Sequence, residues 1–211
     1  FTYRPAPAVS SVWPTRGVAE GGTPVTVLGS GFSSAAEAMG ALLCRFNGTT
    51  VVAVYVSESS LVCNSTGAPP GYLPVEVSTN GREFSCDGVQ YELVSVAMTG
   101  VVPWTGPERG GTVATIAGSG FASADELACV FGGSSVGVGY GGVSAVLTST
   151  PASAHGTDGL RCVSPAAMAR GWTSVELASY GVRLRSSGSF FVHGRMMVSG
   201  VVPPAGPVRG G

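Results

Sequence analysis

The sequence predicts an all-β protein built as two tandem β-sandwiches. Two observations carry this reading. Short apolar or alternating runs recur along the chain, separated by Gly, Pro, Ser and Asn, and helical periodicity is weak throughout. The same landmarks also occur twice in the same order, about 90–100 residues apart, a domain-sized period rather than a solenoid repeat.

In the first unit, strands are predicted near Val9–Val12, Thr23–Leu28, Leu42–Phe46, Val51–Val56, Leu61–Asn64, Leu73–Ser78 and Val89–Leu93. A short helical turn is expected within Ser33–Leu42, and another at Ser123–Leu127, each just after a Gly-Phe pair. The landmarks begin with Val12-Trp13-Pro14 and Val101-Val102-Pro103, each followed by Gly-Gly at Gly21-Gly22 and Gly110-Gly111. Alternating runs follow, Pro24-Val25-Thr26-Val27 and Val113-Ala114-Thr115-Ile116, and each meets Gly-Ser-Gly-Phe, at Gly29–Phe32 and Gly118–Phe121. Then come Cys44-Arg45-Phe46 and Cys129-Val130-Phe131, Leu61-Val62-Cys63 and Leu160-Arg161-Cys162, and Val75-Glu76-Val77 and Val175-Glu176-Leu177. An aromatic-rich strand closes each unit near Tyr91 and Phe191, with Phe190-Phe191-Val192 set against Val89-Gln90-Tyr91 and Phe1-Thr2-Tyr3.

This order of motifs resembles the IPT/TIG family of immunoglobulin-like domains over nearly the whole chain, and does so twice. The resemblance implies two tandem immunoglobulin-like (IPT/TIG) β-sandwiches, at 8–94 and 95–194. Residues 1–7 then read as the last strand of a preceding unit and 195–211 as the first strand of a following one. The second unit departs from the pattern between Phe131 and Cys162. The added stretch, Gly132–Gly142 and Ser149–Gly159, is rich in Gly, Ser and Ala and is expected to be an exposed loop.

Composition limits the functional classes. The net charge is −1 and no basic stripe exists, so the electrostatic footprint of a nucleic-acid binder is absent. The longest apolar runs, Val51–Val56 and Ala41–Cys44, fall far short of the roughly 18 residues of a membrane-spanning helix. Charged residues make up 11% of the chain, against roughly 25% in an ordinary soluble domain. The 44% hydrophobic fraction supplies a core. The shortage of charge implies a surface covered by sugar or by neighbouring chains.

Five cysteines fall as Cys44, Cys63, Cys86, Cys129 and Cys162. The family resemblance implies intradomain disulfides between Cys44 and Cys63 and between Cys129 and Cys162. Buried free thiols in a cytosolic protein are the alternative. Cys86 has no counterpart in the second unit, so it is either an unpaired thiol or an interchain one. With no Cys-x-x-Cys and only His155 and His193, zinc is disfavoured and no cofactor is expected beyond covalent glycans. Asn47-Gly48-Thr49 and Asn64-Ser65-Thr66 are N-glycosylation sequons, and an unglycosylated turn is the alternative at each.

Catalytic patterns are absent. Gly29-Ser30-Gly31 and Gly118-Ser119-Gly120 lack the Gly-x-Ser-x-Gly spacing of a nucleophile elbow, and their repetition marks a structural turn. His155 near Asp158 and the adjacent pair Asp125-Glu126 read as solvated surface. Trp13 and Trp104 flank the equivalent prolines and are expected to pack between domains, with sugar or partner stacking as the alternative for them and for Trp172. Arg4, Arg16 and Arg109 are expected to hydrogen-bond across junctions.

The chain reads as a mature or excised segment. Its end strands either continue a covalent array or complete domains of neighbouring chains. The expected function is that of a non-enzymatic extracellular or cell-surface structural glycoprotein, whose partners are other copies or adjacent repeats joined end to end in a fibre or stalk. Two alternatives remain. One is a ligand-binding or adhesion ectodomain of a receptor; the other is a noncatalytic module of a carbohydrate-active enzyme.

Overall fold

The structure, a computed structural model, describes residues 6–121, 126–132, 148–149 and 159–195. The expected strands at the two ends, His155, Asp158, Asp125, Arg4 and most of the Gly/Ser/Ala-rich stretch lie outside the described residues.

Domain 1 runs through β1 (Ala8–Trp13), β2 (Arg16–Val18), β3 (Pro24–Ser30), α1 (Ser34–Ala38), β4 (Leu43–Phe46), β5 (Thr49–Val52), β6 (Val54–Ser57), β7 (Ser60–Asn64), β8 (Gly71–Ser78) and β9 (Gln90–Val94). One sheet has the order β1-β3-β7-β6 and the other β2-β9-β8-β4-β5. Domain 2 repeats the plan with β10 (Ala97–Val102), β11 (Thr105–Pro107), β12 (Val113–Ser119), β13 (Leu127–Phe131), β14 (Thr148–Ser149), β15 (Gly159–Val163), β16 (Gly171–Ser179) and β17 (Val182–His193), in sheets β10-β12-β15-β14 and β11-β17-β16-β13.

Period-2 alternation builds each core. Val25 and Val27 of β3 face Leu73, Val75 and Val77 of β8, and all five side chains are buried. In domain 2, Ala114 and Ile116 of β12 oppose Val175 and Leu177 of β16. Cys44 of β4 is bonded to Cys63 of β7, and Cys129 of β13 to Cys162 of β15, so a disulfide joins the two sheets of each sandwich across Cα separations of 6.4 and 6.3 Å. In each sandwich a T-shaped ring pair joins the first disulfide strand to the closing strand, Phe46 of β4 with Tyr91 of β9 at 5.8 Å and Phe131 of β13 with Phe190 of β17 at 5.5 Å between centroids.

Those rings correct the register of the closing strands. Tyr91 matches Phe190, not Val192: the expected alignment was displaced by two residues. The ladders show it directly, because Gly17 pairs with Leu93 and Gly106 pairs with Val192. A Cβ on Gly17 would collide with the Tyr91 hydroxyl, and one on Gly106 would reach within 2.8 Å of the Phe190 ring. The consecutive aromatics Phe190-Phe191 hid which ring faces the core.

Three further expectations change. Val51–Val56 is not one strand. The chain crosses from one sheet to the other at the buried Ala53, whose N–H donates to the Leu42 carbonyl at 3.1 Å. Val52, Val54 and Val56 all remain outside, so alternation continues through the crossing and leaves no mark in the sequence. The predicted helical turn at Ser33–Leu42 shortens to α1; most of the other, residues 123–125, lies outside the described residues, and Leu127 opens β13. No strand is predicted at β2 or β11. Each pairs in parallel with its domain's closing strand over three residues, too few to show alternation. Pro14 and Pro103 stand where the chain leaves one sheet for the other, since proline cannot donate to a ladder. The Trp13–Pro14 and Val102–Pro103 peptide bonds are cis.

The Gly-Ser-Gly-Phe repeat is a packing device. A Cβ on Gly29 would strike the Ala8 carbonyl and approach the Phe32 ring to 2.8 Å, and Gly118 stands in the same way against Ala97 and Phe121. Gly29→Ala and Gly118→Ala are expected to destabilise their own sandwiches by about 1–3 kcal/mol through overpacking. Ser30→Ala and Ser119→Ala, at exposed positions, should stay within about 0.5 kcal/mol of the parent. Urea unfolding of the four variants checks this; serine substitutions as costly as the glycine ones would refute it.

Candidate functional surfaces

The domain joint is the most constructed surface of the molecule. Only Ser95 and Val96 separate β9 from β10. Val18, at the end of β2, is fully buried and belongs to the core cluster of domain 2, together with Val96, Val101, Ile116 and Leu184. Trp13 forms a T-shaped pair with Tyr180 of the β16–β17 turn, with centroids 6.2 Å apart and planes at 82°. Gly22 faces Val182 of the same turn; a Cβ there would sit 3.5 Å from a valine methyl.

The other two tryptophans meet each other. Trp104 does not pack between domains 1 and 2. It stacks on Trp172 of its own domain at 5.8 Å with planes at 17°, and Trp172 meets the Phe191 ring edge-on at 5.3 Å. Both indoles remain more than half exposed. Trp172 and Phe191 stand where Tyr72 and Glu92 stand in domain 1, and there Glu92 pairs with Arg16 at 3.4 Å; Trp104, just before β11, is the counterpart of Thr15. That ion pair lies within domain 1. Next to the tryptophans, Arg170 donates to both carboxylate oxygens of Glu108 at 2.7 and 3.1 Å. This hydrogen bonding holds the Glu108 carboxyl below its ordinary range and raises the Arg170 guanidinium.

Asn47 lies exposed at the β4–β5 turn in the left-handed region, with φ 44°. Asn64 ends β7, also exposed, and the following Ser65 is buried with its Oγ accepting from the Thr23 N–H at 3.1 Å. Cys86 is a free, exposed thiol on an ordered connection. Ser85 N–H donates to the Val77 carbonyl at 2.9 Å, and the Asp87 carboxylate accepts from Val9 N–H at 2.7 Å. The Phe84 ring on this connection covers the Arg45 guanidinium at 4.1 Å, and Arg45 is paired with Glu76. Burial pushes the Tyr91 hydroxyl above its ordinary pKa, against the opposing effect of the Thr23 and Ser65 hydroxyls. Among the described residues, no His, Cys, Asp and Glu side chains converge as a metal site, and no helix is long and apolar enough to cross a membrane.

Two sandwiches with sheet-to-sheet disulfides and a two-residue joint define a class of tandem immunoglobulin-like domains. The IPT/TIG domain family matches residues 7–92 and again 97–192, and the chain belongs to that family. Human plexin-A3 is 29% identical over 119 residues, covering 54% of this chain and 6% of the plexin. Human fibrocystin-L is 27% identical over 163 residues, covering 72% of this chain and 4% of that protein. The full extracellular region of plexin A4 superposes with a TM-score of 0.62 at 18% identity, over 91% of this chain and 16% of that one, and so shows the shared fold. The chain thus spans a small fraction of the relatives it matches. Bonded cysteines persist in oxidising compartments, and with this relationship they place the segment outside the cell or at its surface.

Two outcomes are expected. Replacing Cys44 and Cys63 together with alanine should lower domain 1 stability by roughly 3 kcal/mol in urea unfolding, as loss of a cross-link of this length predicts, and an unchanged midpoint would contradict it. Arg170→Ala should raise the Glu108 pKa towards the unperturbed glutamate value of about 4.3. Carboxyl NMR titration reads this, and no upward shift would show that Arg170 is not the cause.

Proposed function

We propose that this chain is a non-enzymatic spacer of an extracellular glycoprotein, in which IPT/TIG units run end to end as a cell-surface stalk or fibre. One observation carries the reading: Val18 of one unit is buried in the core of the next, across a two-residue link. A joint of that kind fixes the angle between units and turns repetition into length. On this reading the partners are adjacent repeats or other copies of the chain, joined covalently or by exchange of end strands. Residues 1–7 and 195–211 then belong to neighbouring units, flanking domains at 8–94 and 95–194. Asn47 and Asn64 carry N-linked glycans that cover a charge-poor surface, the only covalent additions besides the disulfides. Cys86 stays unpaired or links two chains.

A second reading is a ligand-binding or adhesion segment of a receptor ectodomain. The relationship to plexins and the exposed Trp104–Trp172 stack favour it.

Negative-stain microscopy of the native full-length protein tests the first reading. Rods or fibres with a repeat of two sandwich lengths are expected, and isolated globules would overturn it. Peptide-N-glycosidase treatment of the same material should convert Asn47 and Asn64 to aspartate, detected by mass spectrometry; unconverted asparagine at both would remove the glycan part of the proposal.

A further inference from the structure

The joint between the domains has a counterpart surface at the far end of domain 2. The ladders set Trp13 opposite Thr26 and Val102 opposite Thr115, so Val102 is the counterpart of Trp13. They likewise make Pro107 the counterpart of Val18. Gly21 N–H bonds to the Val18 carbonyl and Gly110 N–H to the Pro107 carbonyl, both at 2.9 Å, and this makes Gly111 the counterpart of Gly22. Pro14 and Val18 are buried at the joint; Pro103 is exposed and Pro107 half-buried at the far end. A Cβ on Gly22 would touch Val182, whereas one on Gly111 would meet open space. The far end therefore repeats the shape of a docking face without an occupant among the described residues.

What fills the first joint is the turn Tyr180-Gly181-Val182. Its counterpart in domain 1 is Asn80-Gly81-Arg82, since Leu43 pairs with Ser78 as Ala128 pairs with Ala178, and both turns hold their glycine at positive φ, 71° and 78°. The two turns differ in chemistry. Asn80 Oδ1 accepts from the N–H groups of Arg82 and Glu83, each at 2.9 Å, and its Nδ2 donates to the Glu83 carboxylate at 3.2 Å. All four residues from Asn80 to Glu83 are exposed. A charged, self-satisfied turn loses solvation when it packs against the apolar Val102, Pro103 and Pro107.

We infer that the far end of domain 2, formed by Val102, Pro103, Pro107 and Gly111, docks a further IPT/TIG unit of the domain 2 type, one whose turn reads bulky apolar residue, glycine, aliphatic residue, and that it does not dock domain 1 of a second copy. This rests on the end-to-end reading above and narrows it: the units are not interchangeable at their joints. An array of this chain then grows through a unit that carries an apolar turn, and domain 1 presents a polar face to whatever precedes it.

Hydrogen exchange on two insertion variants of the full chain tests this. In one, a second copy of residues 95–193 is inserted after His193, reproducing the spacing of Val94-Ser95-Val96. In the other, residues 6–94 are inserted at the same place. The first insertion is expected to slow exchange of Gly110, Gly111 and their neighbours at least tenfold, to the level of Gly21 and Gly22. The second should leave them at the parental rate. Slowing by both insertions, or by neither, overturns the inference. Formation of the inserted unit's disulfide, read by mass spectrometry, shows that it has folded. A third variant, with Tyr180→Asn and Val182→Arg only in the inserted copy of 95–193, should return exchange to the parental rate, and retained protection would also overturn it. Filaments of native protein seen alongside unprotected insertions would leave the spacer reading standing and remove only this selectivity.

Discussion

Val18 belongs to one domain's sheet and to the other domain's core. Its backbone extends the parallel ladder of β2 on β9, while its side chain is enclosed with Val96, Val101 and Ile116 of domain 2. Burying a valine stabilises by about 1.5–3 kcal/mol, and here that gain exists only if both sandwiches are formed and held at one angle. The short link, the Trp13–Tyr180 contact and the Gly22–Val182 approach all follow from where this residue must sit. Inter-domain contacts within a chain are usually polar and permit relative motion. An apolar insertion across a two-residue link favours a stiff pair.

Duplication made much of the fold legible. A single Gly-Ser-Gly could be a turn, a nucleophile or a phosphate loop; two at equivalent places, each before a phenylalanine, point to packing, and the Ala8 and Ala97 carbonyls supply the reason. Alternation identified the strands whose one face is buried, such as β3, β8 and β12. It failed where the geometry does not alter the pattern. The sheet crossing at Ala53 keeps its valines outside on both sides, and the three-residue strands β2 and β11 are too short for a period to register.

The surfaces were less legible. Tryptophan beside proline at a domain boundary reads the same for Trp13 and Trp104, yet one reaches the neighbouring domain and the other lies on Trp172. That partner is far away in sequence, and nothing local announces it. The turns that distinguish the two domains, Asn80-Gly81-Arg82 and Tyr180-Gly181-Val182, share their glycine, which masks the difference between them in the sequence. Their difference acquires meaning only when the pairing of strands shows which residues they face.

The helix α1 has a further consequence. The Glu37 carboxylate accepts a hydrogen bond from the Tyr55 N–H at 2.9 Å, on the outer side of β6, the last strand of its sheet. That strand also exposes Val54 and Val56. An apolar border strand with open amides is a template on which another chain can add, the first step towards aggregation. Here one acidic side chain occupies an amide that an incoming strand would need and sets a negative charge beside the valines. In a chain with 11% charged residues, colloidal stability rests on where the few charges stand rather than on their number.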